Sequence, residues 1–260
     1  MKGPAQGGGT PGKGAIGILM LETRFPRVPG DVGNPLSWPF PVIRREVPKA
    51  TTDLVVRQGA RGLLPAFIEA GHALVDEGAI GITTTCGFLS LMQADLSAAL
   101  PVPVLTSSLL QVGMINRLLP GGKRAGILTI SASTLTEEHL RAADVPKGTP
   151  IGSTEEGTEF TKAILSNAPS LDVDAARADL VAAALQLKAT HCDVGAIVLE
   201  CTNMGPYAAD IHRATGLPVY SIIDAVMWFR AGLTPQTFPS AMSAPSEPPA
   251  PHIAAVGDHP

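Results

Sequence analysis

The sequence predicts an α/β fold of two similar, doubly wound parallel-sheet lobes, related by pseudo-twofold symmetry, with the active site in the cleft between them. Short apolar runs alternate with helical patterns along the chain, which is typical of parallel sheets covered by helices. Two cysteines each follow an apolar run, in TTTCGF at 83–88 and in LECTNM at 199–204. At 260 residues the chain is long enough for two lobes, each with its own core.

Apolar runs predict the strands, and apolar residues at helical spacing predict the helices between them. One helix is predicted over 61–77, where a single apolar stripe ends at Gly78. A second helix is predicted over 174–190, capped by Asp172 or Asp174. The predicted strands are 15–21, 79–83, 103–105, 125–130, 196–199 and 219–222.

The segments around the two cysteines predict an internal duplication. Placing Cys86 on Cys201 without gaps brings identical dipeptides together: Ala94-Asp95 with Ala209-Asp210, and Pro103-Val104 with Pro218-Val219. Each copy reads as an apolar strand, a cysteine at its end, a helix, and then Pro-Val opening another strand. We therefore expect two equivalent corners.

The order of these elements predicts the domain limits. We expect lobe 1 to comprise 14–106 plus 222–239, and lobe 2 to comprise 107–221. Residues 1–13 combine Gly, Pro and Thr without apolar periodicity, and 240–260 are rich in Pro, Ala and Ser. Both ends are therefore predicted to be flexible tails.

Composition excludes several classes of partner. Charged residues make up only 16% of the chain and the net charge is −4, so no basic field attracts nucleic acid or an anionic membrane. No apolar run approaches the roughly 20 residues of a membrane span, and no cleavable leader is recognised. With three cysteines, an odd and sparse set, we expect a cytoplasmic protein with free thiols.

Each cysteine lies where a parallel sheet binds ligands, beyond the carboxyl end of a strand and before a helix. The positive end of a helix favours the thiolate, so each thiol is expected to ionise easily. Thr85, Gly87, Thr202 and Asn203 offer hydroxyls, an amide or a close backbone approach for a small anionic substrate. Glu200, directly before the second cysteine, is a carboxylate able to assist proton transfer, but strand alternation predicts that it points away from that thiol.

Two thiols on opposite walls of one cleft suit proton exchange at a carbon centre. One thiolate removes the proton α to a carboxylate, and the other thiol returns a proton to the opposite face. A single cysteine at a strand end is more often a packing residue, but two in matching contexts favour chemistry. Cys192 has no counterpart in the repeat and is expected to be structural.

These residues resemble the aspartate/glutamate racemase superfamily, on TTTCGF, LECTNM and GILTISAST at 126–134, over about 14–232. The resemblance implies that Cys86 and Cys201 are the acid/base pair, without cofactor or metal, in a homo-oligomer. It also implies substrate-binding roles for other residues of the three motifs. These residues are Gly87, Thr129, Ser131, Thr202 and Asn203.

The resemblance thus predicts an isomerase of amino-acid metabolism: a cofactor-independent racemase or epimerase of an amino acid or related small α-substituted carboxylate. Maleate isomerases and hydantoin racemases of the superfamily are alternatives. Arylmalonate decarboxylases keep only the second cysteine, so Cys86 speaks against them. A cysteine hydrolase, which needs a histidine beside a thiol, and a non-catalytic binding protein are further alternatives.

One segment departs from the family pattern. Amino-acid racemases have a short acidic motif after the first strand, whereas this chain has LETRFPRVPGDVGNPLSWPFPV at 21–42. PGDVGN at 29–34 is expected to overhang the cleft, with nearby arginines available for a second anionic group. These arginines are Arg24, Arg27, Arg44 and Arg45.

Two weaker signals carry no function. GGGTPGK at 7–13 resembles part of a phosphate loop, but Gly14 replaces the required Ser or Thr and no strand precedes it. The six histidines do not pair with cysteines at zinc spacing, so no metal site is predicted.

Overall fold

The computed structural model describes residues 14–238. The two predicted tails, 1–13 and 240–260, and the GGGTPGK segment lie outside the described residues. The predicted lobe limits, which depend partly on those ends, stay a prediction.

Within the described range, eight parallel strands form two four-stranded sheets, ordered β2-β1-β3-β4 and β6-β5-β7-β8. Both sheets therefore have the same strand order, and helices flank each of them. This confirms the predicted two-lobed α/β class. The strands of the first sheet are β1 (Ala15–Glu22), β2 (Val42–Thr51), β3 (Ala79–Thr84) and β4 (Val104–Leu105). Those of the second are β5 (Arg124–Thr129), β6 (Ile151–Ser153), β7 (Val194–Leu199) and β8 (Val219–Tyr220).

The α-helices connect and cover these strands. They are α1 (Thr52–Val56), α2 (Leu64–Asp76), α3 (Gln93–Ala99), α4 (Val112–Leu118), α5 (Glu137–Ala142), α6 (Phe160–Leu165), α7 (Val173–Thr190), α8 (Ala208–Thr215) and α9 (Ile222–Leu233). Helix α9 returns to the first sheet, where Ile222 and Val226 join a buried cluster with Ile16 and Ile18 of β1. Burying this apolar stripe holds α9 against β1.

The predicted duplication is visible in the register of the sheets. Strand β3 precedes β7 by 115 residues, and β4 precedes β8 by the same number. The separation of Cys86 from Cys201 is also 115 residues. Ile82 pairs with Val104 in the first sheet, and Ile197 pairs with Val219 in the second. The N–H of Ile82 donates to Pro103 O at 3.0 Å, and that of Ile197 donates to Pro218 O at 2.9 Å. The two corners are therefore built alike.

Helix α2 begins three residues later than predicted, at Leu64, because the chain before it is not helical. Gly62 has φ +72° and Ala60 φ +54°, left-handed values that an α-helix excludes. Helix α7 begins as expected, with the Asp172 carboxylate accepting from the N–H groups of Asp174 and Ala175. The predicted strand 219–222 ends early because Ser221 caps α9.

No helix within residues 14–238 is both long enough and apolar enough to cross a bilayer.

Candidate active site

The two cysteines face one pocket between the lobes. Cys86 follows β3 and Cys201 follows β7, and each retains only 8% of its surface exposed. Burial and then the Glu200 charge raise the pKa of Cys201 most, and the Cys86 sulfur raises it by a smaller amount. The two sulfur atoms are therefore close enough to interact electrostatically. The lining of the pocket is Leu21, Thr23, Phe25, Thr52, Val56, Thr85, Cys86, Phe88, Ile130, Ile164, Leu165, Glu200, Cys201 and Asn203.

The first corner holds its thiol against backbone donors. Cys86 is extended (φ −154°, ψ 120°), and a 3₁₀ helix, Gly87–Met92, starts directly after it. The N–H groups of Phe88 and Leu89, together with the Arg27 charge, favour the Cys86 thiolate. Burial nevertheless dominates and, with the nearby Glu200 charge, raises the pKa of the Cys86 thiol to about 12. The prediction of an easily ionised resting thiol is wrong for this corner, because desolvation outweighs the helix end.

The second corner holds a protonated thiol. Burial, followed by the Glu200 charge, raises the pKa of Cys201 well above its ordinary value. The Cys201 thiol donates to Oδ1 of Asn203 at 3.5 Å. One backbone N–H, from Asn203, opposes the shift, and the Asp31 carboxylate adds to it. Both thiols are thus weakly acidic in the resting pocket.

One buried hydroxyl ties the two corners together, and a second holds the end of β7. Oγ1 of Thr202 donates to the carbonyl of Thr85 at 2.7 Å, beside the first thiol. Oγ of Ser108 donates to the carbonyl of Leu199 at 2.6 Å, at the end of β7. Both hydroxyls are buried, so these bonds lie in a low-dielectric environment where losing them is costly.

The segment after β1, residues 23–38, bridges the lobes over the pocket and is called the bridging loop below. Its Asp31 carboxylate accepts from Arg27 Nη1 at 2.8 Å and from Nδ2 of Asn203. Gly30 (φ +98°) lies so close to Pro206 that a Cβ would come 2.8 Å from the proline Cα. Segment 29–34 is therefore fastened to the second corner, although none of its residues is in the pocket lining, and its overhang of the cleft stays a prediction.

The four arginines named for a second anionic group lie in different places. Arg27 acts electrostatically on Cys86, but its guanidinium is committed to Asp31 and to Thr23 Oγ1. Arg44 donates to the carbonyl of Gly33 at 3.1 Å, and Arg45 pairs with a glutamate on the surface. The Arg24 residue is exposed.

Glu200 is completely buried and lines the pocket, whereas alternation along β7 predicts that it points away. The prediction fails because β7 ends at Leu199, so the alternation of the strand does not extend to the next residue. Oγ1 of Thr129 donates to Oε2 of Glu200 at 2.7 Å, and Oε1 has no partner among the described residues. Burial raises the pKa of Glu200 to about 7, opposed by hydrogen bonds from Thr129 and the Ile130 N–H.

The structure brings four of the eight predicted site residues into the pocket lining: Thr85, Cys86, Cys201 and Asn203. Of the other four, Thr129 bonds Glu200 and Thr202 bonds Thr85, as described above. Gly87 passes so close to Glu200 that a Cβ would overlap its carbonyl oxygen and Oε1. Ser131 is buried but lies outside the lining, where it donates to Oε1 of the exposed Glu155 at 2.8 Å.

Most of the remaining lining is apolar and gave no signal in the sequence, because its residues come from distant segments. Phe25, Phe88 and Ile164 belong respectively to the bridging loop, the first corner and helix α6. Glu200 is the exception, since the repeat aligns it with Thr85, directly before the other cysteine. Among residues 14–238 no histidine lines the pocket, whereas a cysteine hydrolase would need one beside a thiol.

The resting pocket is tightly closed. Its cavity volume is about 20 Å³, room for one or two water molecules. The third cysteine, Cys192, is exposed and remote from the pocket lining.

Comparisons with known proteins identify relatives by sequence and by structure. No protein-family profile matches the chain. It is 29% identical over 226 residues to a dimethylsulfoniopropionate lyase of Durusdinium sp. clade D, covering 84% of this chain and 74% of that protein. It is 29% identical over 225 residues to dimethylsulfoniopropionate lyase 6 of Emiliania huxleyi (strain CCMP1516), covering 80% of this chain and 57% of that protein.

Solved structures share the fold at low sequence identity. A cysteine-substituted variant of arylmalonate decarboxylase superposes with a TM-score of 0.58 at 18% identity, covering 84% of this chain and 92% of that one. A putative Asp/Glu racemase from Yersinia pestis superposes with a TM-score of 0.55 at 15% identity, covering 84% and 98%. These likenesses confirm the fold of the aspartate/glutamate racemase superfamily.

The comparisons support an enzyme but overturn the predicted reaction. The curated relatives are named as lyases, so the prediction of a racemase or epimerase is wrong. The physical reason is that a thiolate removing an α-proton serves both reactions. What the resulting carbanion does next depends on the substrate's leaving group, which the cysteine motifs do not encode.

Proposed function

We propose that this chain, which has the fold of the aspartate/glutamate racemase superfamily, is a lyase that cleaves dimethylsulfoniopropionate or a closely related β-sulfonium carboxylate. The observation that carries the proposal is the 29% identity to dimethylsulfoniopropionate lyases over 84% of the chain. The pocket supports it, because two thiols and a buried carboxyl meet there among apolar walls.

The substrate's chemistry defines what the site must do. Dimethylsulfoniopropionate carries a carboxylate on one carbon and a dimethylsulfonium group two carbons away. A base takes a proton from the carbon next to the carboxylate, and the C–H electron pair forms a C=C bond. The C–S bond breaks, and dimethyl sulfide leaves with the electrons of that bond. The products are dimethyl sulfide, acrylate and one proton.

Cys86 is the better base of the two thiols. Two backbone N–H groups and the Arg27 charge favour its thiolate, whereas Cys201 has one N–H group and faces the Asp31 carboxylate. The cationic sulfonium of the substrate would add a further positive charge beside the thiolate. We therefore assign proton removal to Cys86.

Cys201 serves as a hydrogen-bond donor in this proposal. In the resting pocket its single S–H donates to Asn203 Oδ1, and on binding it would exchange this acceptor for the substrate carboxylate. Charge accumulates on the substrate carboxylate as the α-proton leaves, and preorganised donors stabilise that charge. Cys201 and the Thr85 hydroxyl are the candidates for this role, with Asn203 orienting Cys201.

The apolar walls suit the other end of the substrate. Phe25 and Phe88 are buried in the lining, and aromatic faces attract methylated cations. Arg27 already covers one face of Phe25, with its Cζ 5.0 Å from the ring centre. Phe88 is therefore the stronger candidate for contact with the sulfonium methyl groups. A zwitterion bound in this way refines the expected small anionic substrate, and the homo-oligomer stays a prediction.

The test is release of dimethyl sulfide from dimethylsulfoniopropionate, measured by gas chromatography, with acrylate followed by NMR. We expect the wild-type chain to release both in equal amounts. Cys86→Ser should lower kcat by about 100-fold or more, because an alcohol is a far weaker base at neutral pH. Cys192→Ser, at the exposed thiol, is the matched control and should retain wild-type turnover.

Two results would contradict the proposal. Wild-type protein that releases no dimethyl sulfide from this substrate or from its close β-sulfonium analogues removes the assigned reaction. Full activity in both Cys86→Ser and Cys201→Ser removes the thiols from it.

A further inference from the structure

A lyase of this kind releases one substrate proton in every turnover, whereas a racemase does not. In a racemase the second thiol returns a proton to carbon, so the enzyme's proton count is restored in each turnover. In the elimination proposed above, carbon keeps no replacement, and every turnover leaves one proton on the base. A pocket with room for so little water needs a group that can take it.

Glu200 is the carboxylic acid of the pocket lining. It is completely buried, and its Oε1 has no hydrogen-bond partner among residues 14–238. A buried oxygen of this kind is costly to leave unpaired and is free to take a proton. Its charge acts on both Cys86 and Cys201, so it lies within electrostatic reach of both thiols.

The carboxyl group approaches the first corner through Gly87. The absence of a side chain there allows Oε1 of Glu200 to lie against the backbone of the residue that follows Cys86. The other oxygen, Oε2, is held by Thr129 at 2.7 Å, which leaves Oε1 as the proton-accepting atom. The corner is thus shaped to admit this side chain.

Glu200 is also where the two equivalent corners differ. The N–H of Thr85 donates to Leu19 O at 3.0 Å, and the N–H of Glu200 donates to Leu128 O at 2.9 Å, so the two residues are equivalent. In the first lobe the Thr85 hydroxyl accepts from the Leu21 N–H at 3.1 Å and is satisfied. In the second lobe a longer, ionisable side chain replaces it and reaches the pocket.

We propose that Glu200 exchanges protons with the Cys86 thiol: it takes the thiol proton to leave a thiolate, and it then passes that proton to solvent. This inference rests on the proposed lyase reaction. Glu200 is therefore a positioning residue: it sets the charge of Cys86 and acts on the substrate only through that thiol.

The steps balance. The Glu200 carboxylate takes the Cys86 proton, giving a carboxylic acid and a thiolate. The thiolate takes the α-proton of the substrate and becomes a thiol again while dimethyl sulfide leaves. Glu200 loses its proton when the pocket opens to release acrylate. One negative charge is thus carried by Glu200 or by Cys86 in turn, and once Glu200 is neutral it no longer opposes the thiolate.

The charged and titratable groups around Glu200 are few. Cys86 and Cys201 line the same pocket, and the Arg27–Asp31 pair lies in the bridging loop, from which Arg27 acts on Cys86 and Asp31 acts on Cys201. His139 lies behind the Phe88 ring, with ring centres 5.0 Å apart. Burial raises the pKa of Glu200 to about 7, which suits a group that must both take and release a proton near neutral pH.

The kinetic test uses the pH dependence of dimethyl sulfide release. We expect wild-type kcat to rise with pH through about 7, since Glu200 must be ionised to take the thiol proton. Glu200→Gln should lower kcat by about 100-fold and abolish that rise, with KM changed by less than about threefold. Thr129→Val removes a donor that favours the ionised form, so the rise should move to higher pH. Glu156→Gln, at an exposed glutamate, is the control.

Two kinetic results would overturn the inference. One is a Glu200→Gln enzyme with wild-type kcat and the same pH profile. The other is an effect confined to KM, which would mean that the carboxylate recognises the sulfonium cation instead. Circular dichroism of each variant establishes that it is folded, and Thr129→Val keeps the test available if Glu200→Gln does not fold.

A readout without substrate separates this inference from the proposed function. If wild-type protein releases no dimethyl sulfide, the lyase assignment fails, and the proton exchange is then tested by iodoacetamide alkylation, with each cysteine followed by mass spectrometry. Removing the Glu200 charge should move the alkylation profile of Cys86 to lower pH. An unchanged profile in Glu200→Gln would show that the carboxyl is too remote to share a proton with the thiol.

Discussion

Three buried acids share one pocket, and burial is the main influence on each of them. It raises the pKa of Cys86 to about 12, that of Cys201 well above its ordinary value and that of Glu200 to about 7. Placing a second negative charge beside the first is unfavourable in such a site. The resting pocket therefore holds at most one negative charge near neutral pH, and Glu200 is the group that carries it.

The Glu200 shift predicts a pH-dependent cost to folding. The folded-state pKa lies above the unfolded value near 4.3, so wild-type stability should fall as pH rises from about 4 through about 7. Glu200→Gln should remove a pH-dependent penalty on the order of 3 kcal/mol. The measurement is urea unfolding of both proteins at pH 5 and pH 8. An equal change in unfolding free energy between the two pH values in both proteins would contradict the expectation.

At the scale of single residues, the sequence is informative where a residue type is rare. It is less informative about the direction in which a side chain points. Two cysteines in matching contexts suffice to predict Cys86 and Cys201 as a pair in one pocket. The placement of Glu200 is mispredicted because alternation applies within a strand, and this residue is one position beyond it. Aligning it with Thr85 in the repeat would have indicated that both side chains occupy the same kind of position.

At the scale of elements, hydrophobic runs predict six of the eight strands within residues 14–238. The two strands that they miss are β2 and β6. Both lie at the outer edge of a sheet. Strand β2 is largely exposed and includes Pro48 and several charged residues, so it lacks the continuous apolar run of an inner strand. Strand β2 depends on pairing with β1, and β6 depends on pairing with β5, which the residues of β2 and β6 do not reveal.

The corner after β3 gives a prediction at the same scale. Gly87→Ala should destabilise the fold by about 1–3 kcal/mol, because the new Cβ would overlap the Glu200 backbone carbonyl, which cannot move without disturbing the second corner. Gly113→Ala, in helix α4 with nothing within 4 Å of the new Cβ, is the matched control. It should be neutral or stabilising by up to about 1 kcal/mol.

Thermal and urea unfolding of the two glycine variants measure the difference. Equal stability of Gly87→Ala and wild type would show that the corner has more space than the structure gives it.

At the scale of the whole molecule, the bridging loop fastens one lobe to the other. Asp31 contributes a buried carboxylate that serves Arg27 on its own loop and Asn203 on the second corner. The sequence predicts that 29–34 overhangs the cleft but not what fastens it, since Asp31 and Asn203 are 172 residues apart. The reaction itself is mispredicted for a related reason, because substrate choice depends on the assembled lining.

Asp31→Ala should lower the free energy of unfolding by about 3–5 kcal/mol, since it leaves the Arg27 charge buried without its partner. Asp53→Ala is the matched control, because Asp53 also pairs with an arginine four residues away, Arg57, but with about half of each side chain exposed. Its effect should be much smaller, because solvent screens this exposed pair. Urea unfolding at pH 7 measures both, and similar losses in the two variants would contradict the bridging role of Asp31.

The small volume of the resting cavity also bears on how a complex could be captured. Dimethylsulfoniopropionate has eight non-hydrogen atoms, far more than a space of about 20 Å³ accepts. The lobes must therefore move apart before the substrate binds, and contacts between molecules in a crystal resist this movement. Crystals grown without ligand should stay empty after soaking, whereas growing them in the presence of acrylate should trap the molecule around its product.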